Sequence, residues 1–199
     1  MNQKIKAVVF DAGGVIDDWQ TPCRKYFKKF GCELETILKE TEEVIIRSEL
    51  GEMTMDEFCQ ELMAKIGLAD KWRELRKIMP REFIPHRQVL DLIKELKLNY
   101  RLALLTNAQK GSVDALDALW NIKQYFEVII DSSVVKIRKP DVRIFKILLK
   151  QMALTPQECL YIDDMNINIA VAKKLGFRTI LFIEPSRSVN EIRKVLEIE

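Results

Sequence analysis

The sequence predicts an α/β fold in which a parallel sheet is interrupted, after its first strand, by a block of helices. From about residue 100, short apolar segments typical of buried strands alternate with amphipathic segments typical of helices, as in βαβ units. Between about residues 21 and 97, by contrast, Leu, Ile, Phe and Met recur at three- and four-residue spacing, the periodicity of helices. We therefore expect four or so helices and no strand in this block, as an insertion into an α/β domain.

Each element follows from a local pattern. Residues 5–10 are an apolar, β-rich run that ends at Asp11 and two glycines, which is typical of a buried parallel strand. Within the block, Thr54 and Glu57 have the spacing of a capping box and predict the start of a helix. Further strands are predicted at 100–106, 126–130, 160–162 and 178–183, and further helices at 112–119, 141–151, 166–175 and 188–198, the third of these closed by Gly176.

The composition is that of an ordinary globular chain. It has 199 residues, 48% hydrophobic and 31% charged, which is enough to build a buried core. The net charge is +2, so we expect no nucleic-acid partner. The four cysteines, at positions 23, 32, 59 and 159, form no CxxC pair and are expected to be free thiols. No leader or membrane span is apparent, so we expect a cytoplasmic protein with no membrane contact.

Chemically active side chains stand at the ends of the predicted strands. The positions are Asp11, Thr106 with Asn107, Lys139, and Asp163 with Asp164. Ligands bind outside the carboxyl ends of the strands in open parallel sheets, so we expect these side chains to converge. Three carboxylates at one sheet edge repel one another unless cations compensate them. Lys139 supplies one positive charge, and because the chain has one histidine, a metal would be held by oxygens, as Mg²⁺ prefers.

The segments that carry these residues resemble the four motifs of the haloacid dehalogenase (HAD) superfamily, in the same order. They read VVFDAGGV at 8–15, LLTN at 104–107, RKPD at 138–141 and YIDDMN at 161–166. The first motif is most similar to the branch that contains the N-terminal phosphatase domain of soluble epoxide hydrolase and bacterial sugar-phosphate phosphatases. The resemblance implies a Rossmann-like core with helices on both faces of the sheet (1–16 and 91–199) and a small all-helical C1 cap (17–90).

The resemblance also implies a role for each site residue. Asp11 would be the nucleophile that forms an aspartyl phosphate. The Thr106 hydroxyl and the Asn107 backbone amide would bind the phosphoryl oxygens, and Lys139 would screen the nucleophile from the phosphate. Mg²⁺ would be held by Asp11, the backbone carbonyl of Gly13, Asp164, and Asp163 either directly or through water. The implied activity is that of a Mg²⁺-dependent hydrolase, a phosphatase acting on a small phosphorylated metabolite.

One position departs from the family pattern. Phosphatases of this superfamily usually carry a second aspartate two residues after the nucleophile, which protonates the leaving oxygen, and here that position is Gly13. Proton transfer of this kind contributes typically about 10²–10⁴-fold. We therefore expect good leaving groups to be favoured: sugar 1-phosphates, acyl phosphates or aryl phosphates. Asp17 and Asp18 follow this motif closely, and we expect them to lie in a polar loop or at a helix N-terminus. His86 lies near the return from the helical insertion, and we expect it to be a surface or helix-start residue.

Two other functions remain open at the level of sequence. A metal-independent 2-haloacid dehalogenase would use the same nucleophile, but Asp163 and Asp164 keep the charge that a metal needs. A non-catalytic or regulatory member that binds a phospho-ligand or a protein would explain Gly13. Selection of the substrate is expected to depend on residues of the helical block that face the site, with Arg24, Arg47, Trp19 and Tyr26 as candidates.

Overall fold

The computed structural model describes residues 4–198, which form a parallel sheet flanked by helices. The strands of this part of the chain are β1 (Ala7–Phe10), β2 (Asp17–Asp18), β3 (Ile84–Pro85), β4 (Arg101–Thr106), β5 (Val128–Asp131), β6 (Cys159–Asp163) and β7 (Arg178–Leu181). The helices are α1 (Gln20–Lys28), α2 (Leu34–Glu40), α3 (Glu42–Glu49), α4 (Met55–Lys65), α5 (Trp72–Ile78), α6 (Arg87–Leu96), α7 (Ser112–Trp120), α8 (Ser132–Val135), α9 (Val142–Met152), α10 (Asn166–Leu175) and α11 (Pro185–Leu196).

The main sheet has five parallel strands in the order β5-β4-β1-β6-β7, which places β1 at its centre. Successive side chains of a strand point to opposite faces. Val8 and Phe10 accordingly pack with helices α6, α7 and α11, whereas Ala7 and Val9 pack with α9 and α10. Helices cover both faces of the sheet, and the predicted α/β architecture is confirmed. The strand predicted at 5–10 and the strands and helices predicted from residue 100 onward have bounds within three residues of the observed ones.

Helices α1–α5 pack around an apolar cluster of their own, separate from the two clusters on the sheet. Tyr26, Phe58 and Leu62 are among its buried members. The capping box predicted at the start of α4 is present, because the Glu57 N–H donates to Thr54 Oγ1 at 3.2 Å and the Thr54 N–H donates to Glu57 Oε2 at 2.7 Å. We call residues 19–79, which contain helices α1–α5, the helical block from here on.

The expectation of no strand between 21 and 97 is wrong at one place. Strand β3 lies in this range and pairs antiparallel with β2, so that a two-stranded ribbon stands where the chain leaves and re-enters the sheet. Strands of two residues are too short to produce an alternating pattern, and periodicity therefore does not detect them. Helix α6 packs on the sheet through Val89 and Leu92 and runs across the boundary expected between residues 90 and 91. The expected core range also includes residues 1–3 and 199, which lie outside the described residues.

Candidate active site

The carboxyl edge of the sheet brings the predicted site residues together. Asp11 directly follows β1, Thr106 ends β4, and Asp163 ends β6 with Asp164 next in the chain. The three strands are neighbours and run parallel, so their ends lie side by side. A cavity of about 290 Å³ opens at this edge. Its lining includes Asp11, Gly13, Thr106, Asn107, Lys139 and Asp164.

Lys139 is a buried cation between two of the carboxylates. Its Nζ lies 2.8 Å from Asp11 Oδ2 and 2.7 Å from Asp163 Oδ2, and its side chain is 1% exposed. Burial alone would lower the pKa of Lys139, but the two carboxylates raise it above its usual value. The ammonium therefore stays charged beside the side chain expected to be the nucleophile.

Asp163 is held on both oxygens by donors of the protein. Besides Lys139, it accepts hydrogen bonds from the Tyr161 hydroxyl, from the Met165 N–H at 2.8 Å, and from Asn168 Nδ2 at 3.1 and 3.2 Å. Burial alone would raise the pKa of Asp163, but Lys139 and these hydrogen bonds hold it below the usual value. Asp163 is thus an ionised, fully buried group that orients Lys139.

Two of these partners were missed by the sequence analysis. Tyr161 precedes Asp163 by two residues in β6, so both side chains lie on the same face of the strand. Asn168 lies in the first turn of α10, which begins directly after the acid pair. The strand alternation was a usable signal for Tyr161; the contact of Asn168 depends on how α10 is set against β6.

The three carboxylates carry more negative charge than the lysine balances. Asp11, Asp163 and Asp164 each offer one oxygen, and these atoms lie within 4.8 Å of one another. Burial raises the pKa of Asp11 well above its usual value, with Lys139 opposing the shift. Burial and Asp163 raise the pKa of Asp164 to about 6. Hard oxygen donors and this excess of negative charge fit a small divalent cation such as Mg²⁺.

Gly14 allows Asp164 to lie against the first motif. A Cβ at this position would be 2.2 Å from Asp164 Oδ2, and the backbone φ of +79° is one that other residues rarely adopt. The second glycine of the motif is therefore required both by the conformation of the turn and by the closeness of the carboxylate.

Gly13 lies against an aromatic side chain. A Cβ at this position would be 3.3 Å from Cδ1 and 3.4 Å from Nε1 of Trp19, and φ of Gly13 does not lie in the left-handed region.

Of the four residues of the helical block expected to select the substrate, Trp19 lines the cavity. Arg24 is paired with Glu35.

The remaining two candidates make contacts within the helical block. Arg47 lies 2.8 Å from Glu61, and the Tyr26 hydroxyl donates to the carbonyl oxygen of Lys71 at 3.1 Å. Neither side chain is among the residues that line the cavity.

Asp17 and Asp18 have different surroundings although they are neighbours. Asp18 accepts a hydrogen bond from the Thr21 N–H at 2.9 Å at the start of α1, as expected of a helix-start residue. The expectation of a polar loop or helix N-terminus is wrong for Asp17. It lies in β2, is 1% exposed, lines the cavity, and has no hydrogen-bond partner for either carboxylate oxygen among the described residues. Because the two lie in strand β2, their side chains point to opposite sides. Burial, then Asp18 and Asp164, raise the pKa of Asp17 to about 8.

His86 has the helix-start role that we expected. It precedes the first residue of α6, its Nδ1 lies 2.9 Å from the carbonyl oxygen of Val15, and its ring stacks on Phe182 at 5.7 Å.

The four cysteines are free thiols, as expected. Within residues 4–198, no helix has the length and apolar character needed to cross a membrane.

A buried aspartate directly after the central strand, with a buried lysine from a neighbouring loop and an acid pair at the end of the next strand, is the arrangement that the four sequence motifs imply for a hydrolase. The chain matches the protein family described as haloacid dehalogenase-like hydrolase over residues 8–182, and it belongs to this family.

Relatives and solved structures of known proteins agree with this placement. The chain is 29% identical over 187 residues to a D-ribitol-5-phosphate phosphatase of Bacteroides thetaiotaomicron, covering 88% of this chain and 90% of that protein. A HAD-family enzyme of the same organism, solved with magnesium and inorganic phosphate, superposes with a TM-score of 0.72 at 27% identity over 92% of this chain and 98% of the other. Phosphatases are thus among its homologues.

The similarity to the epoxide hydrolase branch is also confirmed. The bifunctional epoxide hydrolase 2 of Sus scrofa is 24% identical over 98% of this chain. The chain spans 39% of that protein, and between 7% and 39% of the first curated relatives that it matches.

Proposed function

We propose that this chain is a Mg²⁺-dependent phosphatase that hydrolyses a small phosphorylated metabolite through an aspartyl phosphate on Asp11. The observation that carries the proposal is the contact of Asp11 with the buried Lys139, in one cavity with Thr106 and Asp164. A carboxylate paired with a fixed ammonium, in a site that excludes bulk water, is suited to attack an anionic phosphoryl group. A homologue named as a D-ribitol-5-phosphate phosphatase supports a small phosphorylated metabolite as the substrate.

Hydrolysis would proceed in two displacement steps, in which different residues of the chain take part. In the first, an oxygen of Asp11 attacks phosphorus, and the bond between phosphorus and the leaving oxygen breaks. Thr106 and the Asn107 N–H bind the phosphoryl oxygens, and Lys139 stabilises their negative charge. In the second step, water attacks phosphorus, which releases inorganic phosphate and regenerates the Asp11 carboxylate.

Asp11, Asp164 and the backbone carbonyl of Gly13 would hold Mg²⁺, and we propose that Asp163 acts on the ion through water, since its oxygens are occupied by hydrogen bonds. When bound, the ion supplies the positive charge that lets an anionic phosphate approach a carboxylate. The helical block would serve as the C1 cap that covers the cavity.

The glycine at position 13 limits which leaving groups depart readily. It provides no side chain to protonate the leaving oxygen, so substrates whose leaving oxygen needs little protonation would be favoured. These are sugar 1-phosphates, acyl phosphates and aryl phosphates. The aspartyl phosphate would also be long-lived, since no side chain at this position activates the attacking water.

The test is hydrolysis of acetyl phosphate and p-nitrophenyl phosphate with and without Mg²⁺, by the wild-type chain and by Asp11→Asn. We expect turnover that needs Mg²⁺ and is lost in the variant, which keeps the shape of the side chain but not its nucleophilic charge. Metal-independent release of halide from a 2-haloacid would indicate a dehalogenase instead. Equal inertness of the two proteins would indicate a non-catalytic, ligand-binding member.

A further inference from the structure

The cavity that begins at Asp11 continues into the helical block, and its walls there are apolar. The lining residues from this block include Trp19, Phe27, Leu34, Phe58, Leu62 and Met79. Several of them belong to the apolar cluster that holds the block together. The space next to the phosphate position is therefore continuous with the interior of the block rather than with a polar surface.

Glu49 is the charged side chain that the block contributes to this lining, and it forms an ion pair. Glu49, at the end of α3, accepts a hydrogen bond from Arg138 at 2.6 Å, across the junction between the block and the loop that precedes Lys139. Burial raises the pKa of Glu49, with Arg138 opposing the shift. A substrate that extends into the block therefore meets hydrocarbon and a closed ion pair. Asp17, Gln109 and Ser112 also line the cavity, but they belong to β2 and to the segment at the start of α7 rather than to the block.

We propose that the substrate is the phosphomonoester of an apolar alcohol, whose hydrocarbon part lies between the helices of the block while its phosphate lies at Asp11 and Lys139. This inference rests on the proposed phosphatase function and narrows its substrate class. A polyol in the same position would lose its hydrogen bonds to water and find few replacements, which makes its burial unfavourable. An alkyl or aryl group has no hydrogen bonds to water to lose, and its transfer out of water is favourable.

Size and chemistry agree on a short hydrocarbon group. A cavity of about 290 Å³ lies at the lower end of the volumes that hold small-molecule ligands. Aryl phosphates have both a short apolar group and the good leaving group that Gly13 favours. Sugar 1-phosphates have a good leaving group, but the group is not apolar.

The experiment compares kcat/KM for ethyl, butyl and hexyl phosphate with that for sorbitol 6-phosphate, in the presence of Mg²⁺. Hexyl and sorbitol phosphates have chains of six carbons and differ in their hydroxyls. The hydroxyls make sorbitol the slightly better leaving group, so chemistry alone favours it. We expect kcat/KM to rise roughly fourfold for each added methylene until the cavity is filled. Hexyl phosphate should then exceed sorbitol 6-phosphate by more than about tenfold, and an equal or faster rate for sorbitol would overturn the inference.

Two adjacent isoleucines of α3 provide matched variants. Ile45 lines the cavity, whereas Ile46 is also partly exposed but does not line it. We expect Ile45→Asn to reduce the preference for hexyl over ethyl phosphate at least about fivefold, since it places an amide on the apolar wall. Ile46→Asn should leave this preference unchanged. Equal effects of the two variants would contradict the assignment.

Binding measured without turnover separates this inference from the proposed function. Titration calorimetry with hexylphosphonate and methylphosphonate, neither of which is hydrolysed, should give tighter binding and a negative heat capacity change for the hexyl compound. If acetyl phosphate is hydrolysed but the two phosphonates bind equally, the phosphatase function stands and the apolar substrate class is wrong. If no phosphate ester is hydrolysed, the proposed function fails, and the phosphonate comparison still decides whether the cavity takes a hydrocarbon chain.

Discussion

The side-chain amide of Asn107 binds the main chain of Lys139 through two hydrogen bonds. The Lys139 N–H donates to Asn107 Oδ1 at 2.8 Å, and Asn107 Nδ2 donates to the Lys139 carbonyl oxygen at 3.0 Å. The amide thus links the end of β4 to the loop before α9 and determines where the lysine side chain begins. From that point the ammonium reaches both Asp11 and Asp163.

Removing this amide should displace the lysine without removing its charge. We expect Asn107→Ala to lose roughly 1–3 kcal/mol of unfolding free energy, because two hydrogen bonds disappear. We expect kcat for p-nitrophenyl phosphate to fall about tenfold or more, since small displacements of catalytic groups are costly. Urea unfolding and steady-state kinetics measure the two effects. The exposed Asn99→Ala is the control, and a wild-type kcat in Asn107→Ala would disprove the positioning role.

Restoring an acid at position 13 should change which substrates are hydrolysed. We expect Gly13→Asp to accelerate an alkyl phosphate by about 10²-fold, toward the lower end of the range for general acid catalysis, and to affect p-nitrophenyl phosphate little. The new side chain lies against Trp19, which must move by a few tenths of an ångström. Gly13→Asn fills the same space without an ionisable group and is the control. If the two variants behave alike, the proton-transfer argument is wrong.

The closeness of Gly14 to Asp164 predicts a selective loss of metal binding. A methyl group at position 14 displaces the Asp164 carboxylate, so Gly14→Ala should remove the increase in Tm that Mg²⁺ gives the wild-type chain. Gly31→Ala is the matched control, because Gly31 also has a positive φ, of 71°, but a Cβ there has no neighbour within 4 Å. Both variants should be less stable than wild type, whereas Mg²⁺ should still stabilise Gly31→Ala. An undiminished Mg²⁺ effect in Gly14→Ala would exclude Asp164 as a ligand.

The buried carboxyl of Asp17 predicts a dependence of stability on pH. Its pKa is about 8 in the folded chain, against an ordinary value of 3.8, so the folded state retains a proton that the unfolded state releases. The stability contributed by this group is therefore present below about pH 4 and is lost as the pH rises to about 8. We expect Asp17→Asn to gain stability relative to wild type over this range, by up to about 1.4 kcal/mol per pH unit.

Urea unfolding at several pH values, with a chelator present, measures this difference. Asp18→Asn is the control, because hydrogen bonds from Thr21 lower the pKa of Asp18 although burial alone would raise it. The stability of Asp18→Asn relative to wild type should change only as the pH falls toward 4 and below. A difference between Asp17→Asn and wild type that does not vary with pH would show that Asp17 is ionised in the folded chain.

The local patterns of the sequence were sufficient for the sheet, most helices and the residues at the strand ends. Helix α8 was not predicted, because four residues are too few for a helical period. The hydrogen bonds that Tyr161 and Asn168 make to Asp163 were not predicted either. Alternation along β6 places Tyr161 and Asp163 on one face, whereas the contact of Asn168 depends on how α10 packs against β6.

The sequence by itself determined the α/β alternation, the order of the four motifs, and the convergence of Asp11, Lys139 and the acid pair. Periodicity and strand ends are local properties, and parallel strands bring their ends to one edge in any such sheet. Only the tertiary structure decided that Asp17 is buried without a partner and that Trp19, rather than Arg24, lines the cavity. The burial of Asp17 and the position of Trp19 depend on how helices and strands distant in the chain pack against each other. The periodicity of a helix or strand predicts which residues share a face, but not which other segment that face contacts.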